Sequence, residues 1–74
     1  MGANPEHWLD RLLAERGERL RSFLRRRARP GTEIADLSQE IYLRLLRVPE
    51  PEAIANPEAY LFTVAGNLLR ERAV

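Results

Sequence analysis

Residues 32–49 read TEIADLSQEIYLRLLRVP, and the spacing of apolar side chains in this stretch decides the fold. The apolar side chains follow one another at steps of three and four residues, which is the period of a helix with one buried face. Those on this face are Ile34, Leu37, Ile41, Leu45 and Val48. We predict that Thr32 caps this helix and that Pro49 ends it, because proline disfavours helical geometry in the residue before it.

Two more helices are predicted, one on each side of this stretch. Residues 4–6 and 56–58 both read NPE, which combines an asparagine cap, a proline at the first helical position and an acid in the first turn. The apolar side chains between positions 9 and 24 keep one phase, so one long helix is predicted over residues 5–28. The third helix is predicted to run from residue 57 to about 72.

These patterns predict an all-α fold, because no stretch alternates apolar and polar residues as a strand does. We expect a small three-helix bundle that forms a single domain over residues 1–74, or four helices if the first breaks near Gly17. A chain of 74 residues has one thin core. Arg16 and Arg27 fall on the apolar face of the first helix, where each must extend to solvent or pair with an acid, and an ion pair is expected.

Composition excludes several classes of function. The chain has no cysteine and one histidine, which excludes disulfides, thiol chemistry and a histidine-based metal cluster. We predict no catalytic site, no cofactor and no metal. No apolar run approaches a membrane span, and the N-terminus lacks the basic flank and apolar stretch of a signal peptide, so a cytoplasmic protein is expected.

The charge is divided unevenly along the chain. Residues 16–29 hold seven arginines against one glutamate, whereas residues 30–62 hold six acids against two arginines. This division fits two different partners, one polyanionic and one cationic. It also fits a simpler interpretation, in which arginines near helix ends complement the helix dipole.

The outward face of the second helix combines an apolar centre with a polar rim. Leu43 lies among Asp36, Gln39, Glu40 and Arg47, opposite the buried stripe. Such a patch is typical of a docking surface and would suit a basic partner helix. The alternative is an ordinary solvated face, since a single exposed leucine is common.

The third helix carries a polar strip of Thr63, Asn67 and Arg70, with Tyr60 and Phe62 near its start. Aromatic, amide and arginine side chains together suit unstacked nucleic-acid bases. The alternative is that both aromatics belong to the core, which we favour for Phe62. Asparagine is mildly unfavourable inside a helix, so Asn67 either makes a local hydrogen bond or acts outside the helix.

Two segments together resemble a known family. DLSQEIYLRLL at residues 36–46 and NPEAYLFTVAGN at residues 56–67 resemble the second conserved region of bacterial extracytoplasmic-function sigma factors, and most closely their iron-starvation branch. The resemblance covers roughly residues 10–72. It implies a helical bundle of the sigma region 2 type, which binds core RNA polymerase and opens promoters without catalysing a reaction.

The resemblance also implies two sets of contact residues. The second helix would dock on the clamp helices, a coiled coil of the largest polymerase subunit, through Asp36, Gln39, Glu40, Leu43 and Leu46. The third helix and the loop before it would hold the flipped bases of the single-stranded minus-ten promoter element. The residues implied for this DNA contact are Ile54, Asn56, Tyr60, Thr63, Asn67 and Arg70. An anti-sigma protein is a further expected partner.

The chain departs from the family pattern in places. The family often has arginine where Thr63 stands and aspartate where Glu71 stands. The chain ends at Val74, before the basic stretch, the linker and the second DNA-binding domain of the family, so we expect a fragment. Two other classes remain open: a helical module that binds a regulator without nucleic acid, and a membrane-surface peptide based on residues 16–29. An enzyme is less favoured, because no second catalytic group is placed opposite the carboxylates of the second helix.

Overall fold

The computed structural model describes residues 5–72, and this part of the chain is helical without any β-strand. Helix α1 spans Pro5–Arg27, α2 spans Ile34–Leu46 and α3 spans Pro57–Arg72. A short 3-10 turn, Pro51–Ala53, lies in the connection between α2 and α3. The all-α prediction and the positions of the three helices are confirmed. The predicted cap Asn4 lies outside the described residues.

Helix α1 is continuous, so the alternative with a break at Gly17 is wrong. Gly17 is buried, and a β-carbon placed there would come no closer than 3.5 Å to the end of the Arg21 side chain. The helix therefore continues through Gly17, and no close approach requires a glycine there. With 23 residues, α1 is the longest of the three helices and is about 35 Å long at ~1.5 Å per residue.

The start of α2 differs by one residue from the sequence prediction. The backbone N–H of Thr32 donates to the carbonyl of Arg29 over 3.1 Å, and Gly31 between them has φ of 87°. Proline followed by a glycine with positive φ is the pattern of a type II turn, and this turn occupies Thr32. The cap position falls on Glu33, whose side chain makes no capping hydrogen bond. The prediction that Thr32 caps α2 was therefore wrong.

All three helices contribute to one aliphatic core. From α2, the predicted stripe supplies Leu37, Ile41 and Leu45 as buried residues, while Ile34 and Val48 are half-buried. The buried core side chains among the described residues are Leu9, Leu12, Leu20, Leu24, Leu37, Ile41, Leu45, Leu61, Ala65 and Leu68.

Helices α1 and α3 lie side by side and run in the same direction. Arg16 of α1 pairs with Glu58 in the first turn of α3, and the Phe23 ring contacts the Phe62 ring further along both helices. This arrangement brings the C-terminal ends of both helices to the same end of the bundle. It also leaves the outward faces of α2 and α3 open to solvent.

Candidate protein-docking and nucleic-acid interfaces

The outward face of α2 presents the predicted docking residues together. Asp36 and Gln39 are exposed, and Leu43 is 41% exposed although it is a large apolar side chain. Within residues 5–72, neither Asp36 nor Gln39 makes a side-chain hydrogen bond or an ion pair. Their positions follow from helical spacing, because Leu37, Ile41 and Leu45 turn the opposite side of α2 into the core.

Glu40 occupies the border of this face and takes part in a charged cluster. Its Oε2 accepts a 3.4 Å hydrogen bond from Nε of Arg44, one turn further along α2. The same guanidinium donates to both carboxylate oxygens of Glu71 on α3, over 2.8 and 2.6 Å. The hydrogen bonds from Arg44 lower the pKa of Glu71, and the two acids raise the pKa of Arg44. The cluster thus joins the border of the α2 face to the end of α3.

Leu46 contributes less to the exposed face than the other predicted docking residues. It is half-buried and packs against the core, as does Tyr42 one turn before it. The α2 face therefore consists of Asp36, Gln39 and Leu43 with Glu40 at its border, and Leu46 lies at the transition to the interior.

The polar strip of α3 is open along the helix. Thr63, Asn67 and Arg70 are exposed, and Tyr60 is 37% exposed. The guanidinium of Arg70 donates a hydrogen bond to Oδ1 of Asn67, which is the local hydrogen bond that the sequence allowed for. This bond holds two of the predicted DNA-contacting side chains next to each other.

The remaining predicted DNA-contacting residues, Ile54 and Asn56, lie in the loop before α3. The Oδ1 atom of Asn56 accepts a 3.1 Å hydrogen bond from the backbone N–H of Ala59, which caps α3 as predicted. Its carbonyl oxygen also accepts from the N–H of Tyr60, so Asn56 lies one turn from that aromatic ring. Ile54 is half-buried in the loop. Asn56 thus stabilises the start of α3 as its cap, in addition to the DNA contact predicted for it.

An ion-pair cluster fixes the first turn of α3 against α1. The carboxylate of Glu58 accepts from Nε of Arg16 over 3.0 Å and from Arg19 over 2.8 Å. The expected ion pair of Arg16 is confirmed. The sequence predicted that Arg16 needs an acid but gave no indication of which one, since Glu58 stands 42 residues further along.

Phe62 packs between α3 and α1 rather than in the polar strip. Its ring meets the ring of Phe23 edge to face, with 5.2 Å between the centroids. The guanidinium of Arg27 lies 4.6 Å from the Phe23 centroid, which is a cation–π contact. Phe62 therefore belongs to the packed interior, as favoured from the sequence. Arg27 has an aromatic contact where an ion pair was expected.

Residues 5–72 contain neither a membrane-spanning helix nor a cluster of metal-ligating side chains. No helix within residues 5–72 is both long enough and apolar enough to cross a bilayer. Nor do three or more histidine or acidic side chains in this part of the chain come together as metal ligands. The surface of residues 5–72 instead shows charged and polar side chains on exposed helix faces.

The comparisons with known proteins agree with this geometry. The family model of sigma-70 region 2 matches residues 12–73, which includes most of α1 and the whole of α2 and α3. The searches of curated proteins and of solved structures gave no significant match. In sigma factors, region 2 contacts core RNA polymerase and promoter DNA, and it is a non-enzymatic domain of transcription initiation. Since the match covers most of the chain and the fold is the helical bundle expected of this domain, the protein belongs to the sigma-70 region 2 family.

Proposed function

We propose that this chain is region 2 of an extracytoplasmic-function sigma factor, of the iron-starvation branch, and that α2 and α3 serve different partners. The DLSQEIYLRLL segment of α2 supports that branch by resemblance. In this proposal, α2 docks on the clamp helices of the largest polymerase subunit through Asp36, Gln39, Glu40 and Leu43. Exposure of the acids around an apolar side chain supports this, because such a patch is complementary to a basic coiled coil.

The proposed role of α3 is to hold the melted non-template strand of the minus-ten element. Tyr60 offers an exposed ring on which an unstacked base can lie, and Asn67 with Arg70 offers amide and guanidinium donors beside it. Thr63 lies between them on the same strip. Ile54 and Asn56 are the loop residues proposed to border the first base. The mechanism is binding alone, since unpaired bases are captured and no bond is made or broken.

One observation carries the proposal: the two residue sets lie on different helices, and each set is turned away from the core. Asp36 and Gln39 make no side-chain hydrogen bond or ion pair within residues 5–72, and the bond between Asn67 and Arg70 stays within the strip. In this proposal, the polymerase contact and the DNA contact form at the same time, as promoter opening by a polymerase-bound sigma domain requires.

The direct test is a pull-down of core RNA polymerase, or of its isolated clamp-helix fragment, with the Glu40→Lys variant. Charge reversal at the border of the α2 face should abolish binding while helicity and melting temperature stay near those of the wild type. Glu15→Lys is the matched control, because Glu15 is an exposed acid on a different helix, α1. Unchanged binding by Glu40→Lys would refute α2 docking. Loss of helicity would instead assign Glu40 a structural role through Arg44.

A second candidate function is a helical module held by an anti-sigma protein, without nucleic-acid contact. The observation that favours it is an open hollow between α1 and α2, lined by Leu13, Ala35 and Tyr42 among others. In its wall, Oγ of Ser38 is buried and has no hydrogen-bond partner among the described residues. The apolar side chains of Leu13 and Tyr42 in this hollow suit an apolar segment of a regulator. Asn67→Ala and Tyr60→Ala separate the two functions. If both variants leave promoter opening by the full-length protein unchanged, the DNA-binding strip is wrongly placed.

A further inference from the structure

The docking face of α2 is not acidic by its own composition. Within residues 36–47, the two acids Asp36 and Glu40 are matched by the two arginines Arg44 and Arg47. This stretch is therefore neutral, whereas attraction to a basic coiled coil requires an excess of negative charge. A residue outside α2 has to offset one of the arginines if the face is to attract such a partner.

Glu71 of α3 offsets Arg44 directly. Its two carboxylate oxygens accept from both terminal nitrogens of the guanidinium, from Nη1 over 2.8 Å and from Nη2 over 2.6 Å. Such a two-point pair is the strongest arrangement of arginine with a carboxylate. The Arg44 side chain is only 30% exposed, so water screens the pair less than it screens a fully exposed one. Glu71 thus holds the end of Arg44 on the α3 side.

Glu40 is held only loosely by the same guanidinium. Its Oε2 receives one hydrogen bond, from Nε over 3.4 Å, which exceeds the usual range of about 2.7–3.2 Å. Its Oε1 has no hydrogen-bond partner within residues 5–72. The carboxylate of Glu40 therefore keeps acceptor capacity for a basic side chain of another protein.

The Arg44–Glu71 pair is ionised on both sides. Hydrogen bonding to Arg44 lowers the pKa of Glu71, and hydrogen bonding to Glu71 raises the pKa of Arg44. Two acids with one arginine leave one negative charge on the cluster, and this charge falls to Glu40.

Loss of the Glu71 carboxylate would change the pairing of Arg44. Glu40 stands one turn before Arg44 on α2, which is a favourable order for an ion pair along a helix. The terminal N–H groups released from Glu71 can then turn to Glu40 and occupy its free acceptors. One acid with one arginine leaves no net charge, so the border of the α2 face would become neutral.

We infer that Glu71 is a positioning residue for polymerase docking, which acts through Arg44 and makes no contact with the polymerase. By holding the terminal N–H groups of Arg44, it leaves Glu40 open to a basic side chain of the clamp helices. The inference rests on the proposed function, because that proposal assigns the α2 face to the clamp helices. A purely structural pair would only add stability, whereas a positioning pair can be removed as a whole without loss of docking.

The test measures the affinity of the clamp-helix fragment for variants of this chain, by fluorescence anisotropy at one fixed salt concentration. Glu71→Gln should weaken binding about fivefold, the upper end of what an exposed ion pair contributes, because Arg44 then pairs with Glu40. The double variant Arg44→Gln with Glu71→Gln should regain wild-type affinity, although it restores no ion pair between α2 and α3. Glu15→Gln is the matched control, because it makes the same charge change at an exposed acid of α1.

Unchanged binding by Glu71→Gln would overturn the inference, and so would an equal loss in Glu15→Gln. A double variant that binds as weakly as Glu71→Gln alone would also overturn it, since the pair would then act only through stability. Glu40→Lys tests the proposed function separately. If Glu40→Lys abolishes binding while Glu71→Gln has no effect, α2 docking stands and the role of Glu71 is refuted. If Glu40→Lys also leaves binding unchanged, both are refuted.

Discussion

The outward face of α2 and the polar strip of α3 are both open to solvent, but they hold their side chains differently. On α2, Asp36 and Gln39 have no side-chain partner within residues 5–72. On α3, Arg70 is tied to Asn67, and the helix start is capped by Asn56 and clamped by Glu58. In the proposed function, α2 offers charge and an apolar centre to a rigid partner, whereas the strip on α3 offers a preformed arrangement to a flexible strand.

The largest expected effect comes from a core substitution, which should abolish binding by the α2 face and by the α3 strip together. Leu37 is fully buried in α2, and Leu37→Ala should cost about 2–5 kcal/mol, because the cavity adds to the lost transfer energy. In a small bundle, this should unfold a large fraction of the chain. Circular dichroism melts, with polymerase and DNA binding measured on the same samples, should show all three signals falling together. Loss of one binding activity alone would mean that the faces do not depend on a shared core.

Asn67→Ala should affect the strip and leave the α2 face intact. The change removes the amide itself and releases Arg70, so binding of minus-ten single-stranded DNA should weaken about tenfold, as for a hydrogen bond to a charged group. Gln39→Ala on α2 is the matched control, since it removes an exposed amide that has no partner in the described chain. The DNA affinities would be measured by fluorescence anisotropy. Equal weakening of DNA binding by both variants would contradict the assignment of this contact to the α3 strip.

Arg44→Gln should test the link between the border of the α2 face and α3. It removes the hydrogen bonds to Glu40 and to Glu71, so the melting temperature should fall by a few degrees, at the upper end of what exposed ion pairs contribute. Arg47→Gln serves as control, because Arg47 is exposed and unpaired within residues 5–72. Equal melting temperatures for Arg44→Gln and the wild type would show that the cluster does not stabilise the bundle.

The smallest expected effect is a pH dependence that comes from Glu71. Hydrogen bonding to Arg44 lowers the pKa of Glu71 in the folded protein, so its contribution to stability is full above the ordinary carboxyl pKa of about 4.3. That contribution is lost as the pH falls from there through the lowered pKa. Glu71→Gln lacks it, so the difference in melting temperature between wild type and variant should shrink at acid pH. A difference that stays constant with pH would contradict this assignment.

The helices could be predicted from the sequence because their determinants are local. Leu37, Ile41 and Leu45 repeat at helical spacing, and Asn56 caps α3 from three residues before Ala59. The prediction failed at Thr32, where two local preferences compete. Threonine is a good cap, but Pro30 and Gly31 favour a turn that uses the backbone N–H of Thr32.

The contacts between helices could not be predicted, because they join residues far apart in sequence. Arg44 and Glu71 are 27 positions apart, and each would be an unremarked surface charge if considered alone. The rings of Phe23 and Phe62 also meet across 39 positions, and no pattern in the sequence indicates this contact. The exposed faces were easier to predict, since the residues of each lie on one helix.

The central claim is that α2 and α3 carry independent binding faces, and a crossed measurement with two variants tests it most directly. Binding of the polymerase clamp-helix fragment and of minus-ten single-stranded DNA would be measured for Glu40→Lys and Asn67→Ala, with folding checked by circular dichroism. The account predicts that Glu40→Lys loses the polymerase fragment and keeps DNA, while Asn67→Ala keeps the fragment and loses most of its DNA affinity. Folded variants that each weaken both partners equally, or neither, would contradict it.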